Sequence, residues 1–129
     1  MTSDPTAEHF HDRIWELRER ADSHVRTFEP PTDPPKPEEA MTYLREGAGP
    51  AVSLYVEART GGNMVHFPPD HYHALEGAMN DWFELYAGCY GVDLEADFVL
   101  RTAAEALLDT HNIHDVARVL TGVPETVTG

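Results

Sequence analysis

Eight histidines serve a chain of 129 residues, an ample supply of imidazole. The tightest group is HFPPDHYH, which sets His66, Asp70, His71 and His73 within one short stretch. Imidazole and carboxylate are the natural ligands of zinc, nickel and non-haem iron. A strand ending at His66 and a helix opening at Pro68-Pro69 would converge them, with Glu57 expected opposite His66. A transition metal held by His66, His71 and His73, with Glu57 and Asp70 nearby, is therefore the one cofactor that the residue types suggest. The spacing resists it. His71 and His73 stand two apart and leave a helix on different sides, so they share an ion only where that turn is not helical. The competing expectation pairs His66 with Glu57 on a sheet surface and leaves His71 and His73 to decorate a helix start.

Other constellations are thinner. Glu8-x-x-His11 and Asp70-x-x-His73 resemble the Glu-x-x-His pair of di-iron carboxylate bundles. One copy carries Asp, however, and the bridging carboxylates would have to come from Glu84, on a polar helix face, and Glu105. His111 and His114, flanked by Asp109 and Asp115, could share a ligand or could cover carbonyls at a helix end. The stretch AAEALLDTHNIHDVARVLTGVPETV is similar to a helix-turn-helix, with Ala117 as the small residue and Gly122-Val123 as the turn. Those landmarks are five apart where that family has four. Too few residues follow Gly122 for a recognition helix, and none of them is Arg or Lys. Cys89 falls on an apolar helix face, where a thiol is a small core hydrophobe. No serine sits in a nucleophile elbow, and no glycine-rich loop has a phosphate-binding pattern. Trp82, Phe83, Tyr86 and Tyr90 form an aromatic stripe whose helical spacing suits a core better than a pocket. No catalytic residue is assigned.

Charge narrows the function classes. Asp and Glu number 23 against 9 Lys and Arg, a formal net charge of -14, and Lys36 is the sole lysine. Such a surface repels itself in dilute buffer. At about 1 M salt the screening length falls to ~3 Å and the repulsion fades. The composition resembles that of proteins from extreme halophiles. It also disfavours nucleic acid, which needs cations to meet its phosphates. A single cysteine excludes an internal disulfide and fits a cytoplasmic location. The opening MTSDPTAEHFHD lacks the basic and apolar regions of a signal peptide. No stretch nears the ~18 apolar residues of a membrane span, so no membrane partner is expected.

The positioning elements follow from periodicity. Ala7, Phe10, Ile14, Leu17, Ala21, His24 and Phe28 alternate at three and four, which predicts a helix over 6–27. FEPPTDPPKP reads as a stiff extended linker. A short helix over 38–46 follows. Then Val52, Leu54, Val56 and Ala58 alternate with Ser53, Tyr55, Glu57 and Arg59, a period of two that predicts a strand. Gly61-Gly62 suits a hairpin turn, giving strands over 51–58 and 63–67. Helices are predicted over 69–90, over 94–110 as the central buried one, and over 112–121. The expected fold is α+β, predominantly helical, with the β-hairpin packed on a helical bundle. An N-terminal helical arm (1–28) and a proline-rich linker (29–37) would precede a compact domain (38–129). Two strands alone are marginal, so a hairpin completed by a symmetry mate argues for a homodimer. The arm would be free to dock on a protein partner. The expected function is a non-enzymatic interaction or regulatory module. A metal-binding protein or metal-dependent enzyme, and a nucleic-acid regulator, are the alternatives.

Overall fold

The structure, a computed structural model, describes residues 5–60 and 66–124, with side chains from residue 10 onward. Among the described residues six α-helices follow in order: α1 (Pro5–Thr27), α2 (Pro37–Tyr43), α3 (Gly49–Thr60), α4 (Pro69–Cys89), α5 (Leu100–Thr110) and α6 (Ile113–Thr121). Among the described residues there is no strand, and no helix is long and apolar enough to cross a membrane.

The predicted hairpin is overturned. Residues 51–58 lie inside α3, and His66 and Phe67 are irregular chain ahead of α4. Gly61-Gly62 and residues 63–65 fall outside the described residues. The sequence from 51 to 58 satisfies two periods at once. Read at period two, Tyr55 belongs to the solvent face. Read at 3.6, Ala51, Leu54, Tyr55 and Ala58 make an i, i+3, i+4, i+7 stripe. All four are buried, Tyr55 to 7% exposure, while Ser53, Glu57 and Arg59 are exposed. Tyr55 decides for the helix.

Gly49-Pro50, which looks like a break, is carried within a continuous helical rod. A π-helical turn, Leu44–Ala48, joins α2 to α3, and the Gly49 N–H reaches back five residues to the Leu44 carbonyl. Pro50 has no N–H to give the Glu46 carbonyl four residues behind it. Arg20 of α1 donates to that carbonyl instead, from Nη1 at 3.0 Å. An orphan created by proline is thus satisfied by a neighbouring helix.

The centre of the bundle is α4, not the predicted 94–110 segment, of which only 100–110 is helical. Leu75, Ala78, Met79, Trp82, Phe83, Tyr86 and Cys89 of α4 are wholly buried. The stripe Phe10, Ile14, Leu17 and Ala21 of α1 is buried too, and α4 is the main neighbour of α1.

Two irregular segments are tied down by α4. The proline stretch crosses its C-terminal end, where the Lys36 N–H donates to the Cys89 carbonyl at 2.7 Å. Gly91, at φ +78, turns the chain there, and a Cβ on it would also meet Pro34 Cγ at 2.9 Å. The second segment, 92–99, is held by a ladder at four-residue spacing. Glu84 accepts from the Ala96 N–H at 3.0 Å, and Asn80 brackets Phe98, accepting from its N–H at 2.8 Å and donating to its carbonyl at 3.0 Å. Glu76 then accepts from the Leu100 N–H at 3.0 Å, a carboxylate at the positive end of α5.

Candidate functional site

The structure places His66 in irregular chain and His71 and His73 in the first turns of α4. His66 is exposed in the irregular chain before α4. His73 is exposed, its ring edge-on to Tyr72 with centroids 6.1 Å apart. Glu57 is exposed on α3, where the sheet pairing expected with His66 does not exist. No group of three or more His, Cys, Asp or Glu suited to a metal ion occurs among the described residues.

His71 instead meets a histidine sixty residues away. The first turn of α4 brings its Nε2 into hydrogen-bonding contact with Nδ1 of His11 on α1. On its other side, His71 Nδ1 lies 3.0 Å from Asp70 Oδ1. That bond holds the Asp70 carboxyl below its usual range. Trp15, one turn along α1, has its ring 5.7 Å from that of His71 and 6.1 Å from that of His11. A proton on His71 Nδ1, donated to Asp70, leaves Nε2 as a lone-pair acceptor for the proton on His11 Nδ1. The arrangement is a carboxylate–imidazole–imidazole chain bridging two helices.

The remaining described histidines serve the fold. His24 Nδ1 accepts from the buried Trp82 indole at 3.1 Å, and its ring sits edge-on to Tyr43. His111 is the left-handed residue closing α5, at φ 57. The His114 ring lies edge-on to Tyr86, with Nε2 buried and without a hydrogen-bond partner. Gly122, where the sequence suggested a helix-turn-helix turn, terminates α6, and the Val123 carbonyl accepts from Tyr86 Oη at 2.6 Å. Cys89 is buried, and burial first, then the Glu39 charge, pushes its thiol up to about 11. It is protonated at neutral pH and is no nucleophile.

A cleft of about 530 Å³ lies between the end of α1, the proline stretch, α4 and the segment after it. Val25, Phe28, Pro30, Pro31, Pro34, Leu85, Val92 and Leu94 supply its apolar surface. Val25 and Val92 are among the few large apolar side chains that stay exposed, at 47% and 40%. Asp81, Glu84 and Asp93 place carboxyls on the same walls. Asp81 is ion-paired with Arg18, which also holds Asp22 at 2.6 Å. Among the described residues Glu84 has no such cation. Burial chiefly, and then Asp81, Glu95 and Asp93, raise its carboxyl above the usual range against the Ala96 hydrogen bond. Sequence reasoning missed this cleft because its walls come from four segments, two of them irregular.

A family model, described as Domain of unknown function (DUF8055), matches residues 8–125. The chain belongs to that family. The match takes in both His11 and His71 and the whole described wall of the cleft, so these features lie within the DUF8055 domain itself. No curated protein and no solved structure matches the chain.

Proposed function

We propose that this DUF8055 domain is a non-enzymatic binding module, and that its cleft takes an apolar segment of a partner protein carrying a basic side chain. The observation that carries the reading is Glu84: a carboxylate beside apolar walls, raised by burial and by neighbouring carboxylates, with no cation of its own. A ligand cation relieves that repulsion, and Val25 and Val92 offer apolar area to the rest of the segment. The apolar stripe of α1 is used within the chain, so α1 contributes to recognition through its end, at Val25 and Phe28. The acidic surface suits a cytoplasm of molar salt, where rim charges are screened and the apolar contact and the partly buried Glu84 supply affinity.

The test is fluorescence polarisation in molar KCl with labelled peptides of one length, apolar-basic, apolar-acidic and polar-basic. Binding by the apolar-basic set alone, weakened at least tenfold by Val92→Asp, supports the reading. Equal binding by all three sets, or none, refutes it.

Self-association is a second reading, on a different ground from the hairpin. Val99, Leu108 and Val119 are exposed at 49%, 52% and 69%, all on or beside the α5–α6 pair. Light scattering in molar KCl should then give twice the 14.4 kDa of one chain, and a Val119→Glu variant should give the single mass.

A further inference from the structure

We infer that His11 and His71 form a binding site for one divalent transition ion, clamping α1 to α4. Two imidazole nitrogens from different helices, His11 Nδ1 and His71 Nε2, meet in one hydrogen bond. The same nitrogens would serve as the ligands. Asp70 supplies the second requirement. Metal-ligating histidines typically donate their other N–H to a carboxylate, which fixes the tautomer and makes the ligating nitrogen more basic. His71 Nδ1 stands 3.0 Å from Asp70 Oδ1, so its Nε2 is already the lone-pair nitrogen. Trp15 beside both rings limits their orientations.

Binding is a substitution of ion for proton. The proton on His11 Nδ1 moves through solvent to Nε2 of the same ring, and both new ligands stay neutral. Metal–nitrogen bonds of ~2.0–2.1 Å require the rings to part slightly, which the exposed His11 side chain allows. Water completes the coordination. Two imidazoles without a thiolate select zinc, nickel or copper over magnesium or calcium. The ion is structural in effect, since it binds the docked arrangement of α1 and α4 and not the unfolded chain. His66 and His73 take no part.

The experiment is calorimetric titration of Zn2+, and separately Ni2+, into chelator-stripped full-length protein in molar KCl. One ion per chain is expected, with His11→Ala and His71→Ala each weakening binding at least tenfold. Asp70→Asn should weaken it about tenfold, and His73→Ala should leave it unchanged. Circular dichroism checks that each variant keeps its helices. Independently of any variant, Ni2+ should broaden the imidazole NMR signals of His11 and His71 before those of the other histidines. No saturable binding would overturn the assignment. So would undiminished affinity in a folded His11→Ala chain, or broadening that begins at His66 and His73.

Discussion

Gly47→Ala is the sharpest test of the packing, because a single methyl separates two opposing effects. Gly47 lies in the π-helical turn, buried, and a Cβ there would land on the Trp82 indole. Trp82 is wholly buried, and its Nε1 donates to His24 at 3.1 Å, so the ring has neither room to slide nor freedom to turn without breaking that bond. Overpacking of a filled core costs about 1–3 kcal/mol. Loss of the indole hydrogen bond adds about 1 kcal/mol. Against this stands the helical preference of alanine over glycine, at most about 1 kcal/mol. The sum is a loss of about 1–3 kcal/mol. At roughly 3–5 °C per kcal/mol for a domain of this size, Tm should fall by about 3–15 °C.

The control is Gly77→Ala on α4, the same substitution in a helix, where the new Cβ meets only the tip of Arg18, Nη1 at 2.8 Å. That side-chain end can shift, with some adjustment of its pairs to Asp22 and Asp81, so Gly77→Ala should cost far less than Gly47→Ala. Both are measured by thermal and urea unfolding in molar KCl. A third variant, Gly47→Ala with Trp82→Phe, should lose less than the two single losses added, since the smaller ring vacates the space. If Gly47→Ala is as stable as Gly77→Ala, the close approach of the π turn to Trp82 is wrong.

Asn80→Ala should cost about 2–3 kcal/mol in urea unfolding, because it orphans both the N–H and the carbonyl of Phe98; it should also weaken peptide binding at the cleft, whose wall it loosens, without touching the ligand. Glu84→Gln should raise stability at neutral pH, and more so at low salt. The sign follows from linkage: a carboxyl whose folded value is raised binds its proton more tightly in the native state, so stability falls as pH climbs from the ordinary glutamate value through the raised one. A wild-type pH–stability profile that fails to lose that downward step in Glu84→Gln would refute the assignment. Cys89 should resist thiol reagents at pH 8 in the native state and react fully on unfolding, as a buried thiol raised to about 11 requires.

How much of this was legible depended on whether one segment carried its own answer. The helix α4 did: Pro68-Pro69 at its start, an unbroken 3.6 period through Cys89 and glycine after it put its limits within a residue of those observed. Residues 51–58 did not, because period two and period 3.6 both fit until Tyr55 is counted as apolar. The Glu76, Asn80, Glu84 ladder was present in the sequence as three polar residues at four-residue spacing along one side of a helix whose core stripe is apolar. It could have been read as a device for holding a backbone segment; what it holds could not. His11 and His71 are beyond local reading, since their meeting depends on how α1 lies along α4. The tight spacing of His66, His71 and His73 suggested convergence, yet a helix starting at Pro69 sends neighbours two apart to different sides.

The cleft is bounded by the parts of the chain with least regular structure, and that bears on what it can do. A groove made of loops ordinarily costs conformational entropy to close around a ligand. Here both loops are ordered before any ligand arrives. One is stiffened by prolines and anchored through Lys36 to the end of α4. The other is bonded through Ala96 and Phe98 to two side chains of the same helix. The two walls therefore take their positions from a single rigid element. The carboxylate of that pair, Glu84, is also the group left without a cation among the described residues, so the bond that shapes the cleft and the charge that would select its ligand belong to the same residue.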